Sequence, residues 1–181
     1  MKGIHLKNLN KMKSLNLKTI IVNTLLVLLI FSIDRFSKLY VLNIVEMNQE
    51  IDIYLNSFLN LYLVWNKGIA FGLFSFDLEI IYNTITALII AINIVIVFMI
   101  IFSLSFKRYS LILVLGGSLG NLFDRMYYSA VPDFIDFHIK DFHWFIFNVA
   151  DIFISVGIIL LIFYEVISNK KKIDETNYLI I

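Results

Sequence analysis

Four long apolar runs divide this chain, and they limit what it can fold into more than any other feature does. A helix needs about 20 predominantly apolar residues to cross the hydrocarbon core of a bilayer. The sequence is 60% hydrophobic and 16% charged, whereas soluble domains are roughly 45–50% apolar and about 25% charged. We therefore predict an all-α membrane protein with four transmembrane helices, at residues 19–44, 80–102, 109–127 and 147–167.

No linker rich in glycine, serine or proline interrupts these runs, so a single membrane domain is expected over residues 19–167. A basic segment, residues 1–18, precedes this domain, and a polar tail, residues 168–181, follows it. A basic start before an apolar run also occurs in secretory signal peptides. No A-x-A-like cleavage site follows the run, which predicts that the first helix is retained.

The distribution of charge predicts the orientation. Lysine and arginine gather in residues 1–18, at Lys107-Arg108 and at Lys170–Lys172, whereas acidic residues dominate 46–79 and 128–146. Cytoplasmic loops of membrane proteins carry the excess of lysine and arginine. Both termini are therefore expected in the cytoplasm, and the two long connections outside it.

A small extracytoplasmic β-hairpin or sheet is predicted in the region 46–79, between the first two helices. Residues Phe58–Trp65 alternate with the two-residue period of a strand. The turn signal Asn66-Lys67-Gly68 follows, and Ile69–Phe74 is expected to return as the second strand. Both faces of this hairpin are apolar, which suits a cradle or movable clamp that holds an apolar ligand. A rigid structural ribbon without a ligand is the alternative.

Polar residues that are unusual in a membrane lie at the predicted outer ends of three helices. Ionisable groups in a bilayer are costly and often mark functional sites. A simple ion pair that anchors the first helix would explain Asp34 and Lys38, which are spaced i,i+4. It would not explain why the whole set converges on the outer boundary: Asp34, Lys38, Asn121, Asp124, Arg125, Asn148 and Asp151.

The available side chains favour hydrolysis by carboxylates. The chain has no cysteine, no G-x-S-x-G motif and no zinc pattern among its three histidines. Two aspartates that share a site cannot easily both ionise, so one can hold a proton while the other activates water. Four aspartates compete for these roles: Asp124, Asp133, Asp136 and Asp151. Burial favours Asp133 and Asp151, since Asp124 adjoins Arg125 and Asp136 is expected in a solvated loop, but these residues alone leave the choice open.

Five sequence blocks, in order, resemble the signal peptidase II family, the membrane aspartic peptidases that mature bacterial prolipoproteins. They are Asp34–Lys38, Asn66–Gly72, Gly116–Arg125, Val131–Ile135 and Phe147–Asp151. The resemblance implies that Asp133 and Asp151 are the catalytic pair. It also implies that neighbouring residues shape the site and contact the substrate or the inhibitor globomycin. The residues that match the family in this role are Lys38, Asn66, Asn121, Arg125 and Asn148. To this set we add Asp34, Gly68 and Asp124. Pro132, and the absence of a proline in Trp144–Phe147, depart from the family pattern.

The resemblance further implies the substrate, a signal peptide whose cleavage-site cysteine carries diacylglycerol. No cofactor and no metal are expected, and the partners would be these prolipoproteins and membrane lipids, without nucleic acid. We expect a monomer in the bacterial cytoplasmic (inner) membrane, with its active site at the outer leaflet. A transporter would instead spread charges through the membrane depth and show broken helices or repeats, and a scaffold would leave Asp133 and Asp151 without a role.

Overall fold

Helices and one small sheet make up the part of the chain that the structure describes. The computed structural model describes residues 16–48, 52–68, 78–103, 105–140 and 142–178. The helices are α1 (Leu17–Asn48), α2 (Leu78–Phe102), α3 (Ser105–Tyr128) and α4 (Val149–Tyr178). The strands are β1 (Asp52–Asn56), β2 (Leu59–Asn66), β3 (Val131–Ile139) and β4 (Phe142–Phe147). The predicted fold class, a helical membrane protein with a small sheet, is confirmed.

Three of the helices are long and apolar enough to cross a membrane: α1, α2 and α4. Helix α3 does not meet that criterion, and it carries charged residues near both ends, Lys107 and Arg108 at one and Asp124 and Arg125 at the other. It packs against the other three helices. The centre of α3, around Leu111, Ile112 and Leu115, belongs to the main buried apolar cluster, while α1, α2 and α4 expose many large apolar side chains.

Glycines let the neighbouring helices approach α3 closely. A Cβ atom added at Gly116 would lie 2.7 Å from the side chain of Ile30 in α1. One added at Gly117 would lie 2.5 Å from the backbone oxygen of Ala150 in α4. Carbon and oxygen atoms in contact prefer to be about 1 Å farther apart. The small residues of this segment are therefore required by close helix packing, as their spacing predicts.

The sheet has the antiparallel order β1-β2-β3-β4. The predicted strand at 58–65 corresponds to β2, but its partners are β1 and β3. The return strand expected at 69–74 lies outside the described residues. The segment expected as an external loop, 128–146, instead supplies β3 and β4, because β3 pairs with β2 across almost its whole length. The sheet rests on the end of α1, where Phe134 packs with Val41.

Candidate active site

Asp133 lies on β3 and is almost fully buried, with 4% of its surface exposed. Its Oδ2 accepts a hydrogen bond of 2.9 Å from the Asn66 side chain at the end of β2. Its Oδ1 accepts one of 2.6 Å from the Asn148 side chain. Both carboxylate oxygens are therefore held by amide donors from two different elements, which orients the group firmly.

The start of α4 positions Asp151 through a reciprocal cap. The Asn148 backbone N–H donates to Asp151 Oδ2 at 3.1 Å, and the Asp151 N–H donates to Asn148 Oδ1 at 3.1 Å. This is a capping box with asparagine and aspartate in place of the more usual serine or threonine and glutamate. Since the Asn148 amide nitrogen also holds Asp133, one helix-capping residue orients both aspartates.

A buried network connects this cap to α1 and α3. Asn121 donates from its amide to Asp151 Oδ1 at 2.8 Å and accepts from Lys38 Nζ at 2.9 Å. The fully buried Lys38 ammonium also pairs with Asp34 at 2.7 Å and with Asp124 at 2.6 Å. A buried charge is tolerated when it is paired and hydrogen-bonded in this way. The i,i+4 pair of α1 is thus part of the site rather than a surface anchor.

Asp34 also completes the first turn of α4. Its Oδ1 accepts a hydrogen bond of 2.9 Å from the Ala150 N–H, one of the donors that a helix N-terminus leaves without an intrahelical partner. Gly120 of α3 leaves the space for this carboxylate, since a Cβ atom there would contact it. Helices α1, α3 and α4 are therefore joined directly beneath the two aspartates.

Arg35 was missed by the sequence reasoning. It is buried and forms an ion pair with Asp124, and its guanidinium lies 4.7 Å from the centre of the Phe123 ring. Asp124 therefore pairs with Arg35 and Lys38 of α1, and its neighbour in sequence, Arg125, points to a different side of the helix. Arg35 lies inside the block Asp34–Lys38, and its charge within that block was the signal that could have identified it as a site residue.

Arg125 lies under the turn that follows β2. Its guanidinium is 5.4 Å from the centre of the Tyr82 ring, and its backbone oxygen accepts a hydrogen bond of 2.7 Å from the Tyr82 hydroxyl. Gly68 has a φ of +78°, and a Cβ atom there would lie 2.6 Å from Arg125 Nη2. Glycine is thus required at position 68 both by the left-handed backbone and by this close approach. Tyr82 was not predicted, and no motif identified it.

Both aspartates open into one cavity of about 210 Å³. Its apolar wall includes Ile89, Val131 and Ile154. Its polar wall contains six of the residues proposed from the sequence: Asn66, Asn121, Arg125, Asp133, Asn148 and Asp151. A larger groove of about 550 Å³ between α1, α2 and α3 is lined almost entirely by apolar side chains, so it offers no comparable chemistry.

The environment of Asp133 favours its protonated form. Burial raises the pKa of Asp133 to about 6, and the negative charge of Asp151 acts in the same direction. The amides of Asn66 and Asn148 oppose this rise, because they bind the ionised form better. The desolvation cost exceeds their effect, so Asp133 keeps its proton to a higher pH than an ordinary aspartate does.

Asp136 does not lie in water, contrary to the expectation. It is only 2% exposed, and its Oδ2 is 2.7 Å from His143 Nδ1. The strand accounts for the difference: alternate residues of β3 face opposite sides of the sheet. Because Asp136 is three residues beyond Asp133, it faces the other side of the sheet, and it does not line the cavity.

Comparison with known proteins gives one consistent result. A family model described as "Signal peptidase (SPase) II" matches residues 26–167. A lipoprotein signal peptidase of Pelagibacter ubique is 51% identical over 166 residues, which is 92% of this chain and 100% of that protein. One of Anaplasma phagocytophilum is 38% identical over 80% of this chain and 92% of its own length. A solved bacterial membrane enzyme aligns with a TM-score of 0.65 at 28% identity, covering 83% of this chain and 91% of that one.

Proposed function

This chain belongs to the signal peptidase II family, and from that membership we propose that it cleaves signal peptides from diacylglyceryl-modified prolipoproteins, before the lipidated cysteine. The family makes it a peptidase of bacterial membranes. The chemistry we propose is aspartic: Asp133 and Asp151 activate a water molecule between them. The observation that carries this assignment is that one residue, Asn148, holds both carboxylates at one cavity: Asp133 through its side-chain amide and Asp151 through its backbone N–H.

The two aspartates divide the work of amide hydrolysis. The Asp151 carboxylate accepts hydrogen bonds from the Asn121 side chain and from the Asn148 backbone N–H, which orient it at the start of α4. It acts as the base that takes a proton from water. Asp133, whose pKa is raised to about 6, carries the proton that is donated to the scissile carbonyl oxygen. The water oxygen bonds to the carbonyl carbon and forms a tetrahedral diol. The carbon–nitrogen bond then breaks as Asp151 gives the proton it took from water to the amine nitrogen, and a diol hydroxyl returns a proton to Asp133 as the carboxylic acid product forms.

The surrounding charges position these groups and do not react. Lys38 is fully buried and holds Asn121, which in turn holds Asp151. Arg125 lines the cavity, and its Nη1 is buried without a hydrogen-bond partner among the described residues. Such a donor is suited to a carbonyl oxygen of the substrate peptide, whose binding would satisfy it.

The arrangement of the protein in the membrane is part of the same proposal. We propose that α3 also spans the bilayer, because a buried helix packed against three spanning helices must run through the same layer. Both termini would then be cytoplasmic, the sheet and cavity would lie at the outer leaflet, and lipidated substrate would enter sideways between helices. The protein would act as a monomer, with membrane lipids around its exposed apolar surfaces.

Cleavage of a diacylglyceryl-modified prolipoprotein by the purified protein tests the assignment. Asp133→Asn and Asp151→Asn should each reduce the rate by a factor of about 10² to 10⁴ or more, because a catalytic acid or base is lost. Glu46→Gln, at an exposed position of α1, is the matched control and should cleave normally. Cleavage that continues in the presence of a chelator would exclude metal chemistry at the pair. Substantial cleavage by either aspartate variant would overturn the proposed pair.

A further inference from the structure

A second polar cluster lies on the hairpin formed by β3 and β4, away from the cavity. It consists of Asp136, His138 and His143, whose carboxylate and ring-nitrogen atoms all lie within 4.8 Å of one another. Asp136 and His138 are two residues apart and therefore share one face of β3, opposite to that of Asp133. At about 3.3 Å per residue, His138 is roughly 16 Å along the strand from Asp133. The cluster is thus separate from the proposed catalytic pair.

An irregularity in strand pairing brings His143 to this face. Asp136 pairs with Ile146 and Phe137 with Phe145, but His138 pairs with His143, so β4 has one extra residue at this point. In a regular ladder His143 would face the other side of the sheet, because side chains alternate along a strand. A β-bulge is a common means of re-aiming a side chain. Here it adds a second imidazole to the Asp136 carboxylate.

Two atoms of the cluster have no hydrogen-bond partner within the described parts of the chain: Asp136 Oδ1 and His138 Nδ1. Both belong to side chains that are more than nine-tenths buried, with 3% and 8% exposed. Asn60, which lies directly across from Asp136 on β2, also has a buried side-chain oxygen without such a partner. Buried polar atoms in native proteins are nearly always satisfied. A small ligand bound at the cluster would supply partners to these atoms.

The distances suit a small cation. His143 Nδ1 and His138 Nδ1 lie 2.7 and 3.6 Å from the same Asp136 oxygen. In a tetrahedral zinc site with metal–ligand distances of about 2.0–2.2 Å, neighbouring ligand atoms are about 3.4 Å apart. The distance from His138 Nδ1 to Asp136 Oδ2 already matches this spacing. The His143 ring is closer to Asp136, but its side chain is 55% accessible, so it can move outward to reach the same spacing.

We propose that Asp136, His138 and His143 bind a divalent metal ion of the zinc class. Two neutral imidazoles and one carboxylate are a ligand set that zinc uses, with a further position for water on the exposed His143 side. The ion would join β3 to β4 at the outer end of the hairpin and hold the register of the strand that carries Asp133. It would be structural, so it takes no part in the proposed cleavage step.

Zinc binding to the full-length, tag-free protein in detergent provides the test. We expect one Zn²⁺ per chain in equilibrium dialysis after the protein has been stripped with a chelator. His143→Gln and Asp136→Asn should each weaken binding by more than about tenfold, since even the loss of an outer-shell partner costs that much. His5→Gln removes the remaining histidine of the sequence and should bind as the unaltered protein does.

A thermal-unfolding measurement provides a second readout, independent of cleavage. Added Zn²⁺ should raise the Tm of the unaltered protein, because a ligand that binds only the folded state stabilises it, and should leave the Tm of His143→Gln unchanged. His143 is exposed, so this variant is expected to fold. The proposal is overturned if no zinc is retained stoichiometrically, or if His143→Gln binds zinc as tightly as the unaltered protein.

Discussion

At the scale of single residues, Asn148 explains more of the site than any charged group does. It caps α4, holds Asp151 through its backbone N–H and side-chain oxygen, and holds Asp133 through its amide nitrogen. Asparagine can do all three because its side chain offers both an acceptor and two donors. An aspartate at position 148 would keep the cap of α4 but would place a third negative charge beside Asp133 and Asp151. Asparagine avoids this repulsion.

The pKa of Asp133 leads to a prediction about pH. If Asp133 carries the shared proton, cleavage should decline on the alkaline side as that proton is lost. Asn66→Leu removes a donor that favours the ionised form, so the pKa rises from about 6. Losing one hydrogen bond of typical net strength should move the alkaline limb of kcat/KM upward by about half a pH unit to one pH unit. Asn83→Leu, at an exposed position of α2, is the control. A limb that stays in place or moves down would contradict the proton assignment.

Arg125→Lys separates charge from shape. Lysine keeps the positive charge but loses the planar fork, the packing on the Tyr82 ring and the donor at Nη1. We expect kcat/KM for cleavage to fall by at least about tenfold, equivalent to about 1.4 kcal/mol. Arg108→Lys makes the same exchange at the other end of α3, remote from the cavity, and should be nearly silent. Equal activity of the two variants would show that only the charge matters at position 125.

At the scale of elements, the site depends on how closely α3 and α4 pack. Gly117 faces the backbone of Ala150, in the same first turn of α4 that carries Asp151. Asp34 of α1 binds that turn from another side. The geometry of the pair is therefore set by contacts between helix backbones, which are stiffer than contacts between long side chains. A change in the packing of α3 against α4 should therefore alter the rate of cleavage.

Gly117→Ala tests this coupling. The added methyl group would lie 2.5 Å from the Ala150 oxygen, so the start of α4 must shift. Overpacking of this kind costs typically about 1–3 kcal/mol. We expect a lower Tm and slower cleavage. Ala91→Val adds bulk at an exposed position of α2 and serves as the control. If Gly117→Ala has the Tm and cleavage rate of the unaltered protein, α3–α4 packing does not position Asp151.

At the scale of the whole molecule, α1 is long enough to connect the two sides of a membrane. Its 32 residues span about 48 Å, which exceeds the roughly 30 Å of a hydrocarbon core. One end is therefore expected in the cytoplasm, and the other carries the sheet. Phe134 and Val41 anchor the sheet on that second end, so the cavity lies where helices and sheet meet.

The orientation can be tested by cysteine labelling, since the chain has no cysteine of its own. Ser57→Cys, exposed between β1 and β2, should react with an impermeant thiol reagent added to intact cells. Lys18→Cys, exposed in the first turn of α1, should react only after the membrane is permeabilised. Ser129→Cys, at a second exposed position, should behave as Ser57→Cys does, whereas Ser110 is buried and therefore unsuitable for labelling. The opposite pattern would invert the topology.

The membrane class and the presence of the helices follow from the sequence alone, and so do six of the polar residues that line the cavity. Apolar runs, charge asymmetry and polar groups within apolar segments are strong local signals of membrane helices and of their functional residues. The reason is that a polar or charged group in the hydrocarbon of a bilayer is costly unless it is satisfied. Helix ends differed from prediction by a few residues, most of all for α4, which continues to Tyr178 as a polar helix beyond the predicted span.

Only the tertiary structure decided which groups meet. Strand partners depend on contacts between distant segments, so the pairing of β2 with β3, which brings Asn66 to Asp133, could not be deduced from alternation alone. The same holds for Arg35 opposite Asp124 and for the bulge that turns His143 towards Asp136. Local patterns specify what each segment can form, whereas the choice among compatible partners rests on packing, which is a property of the whole fold.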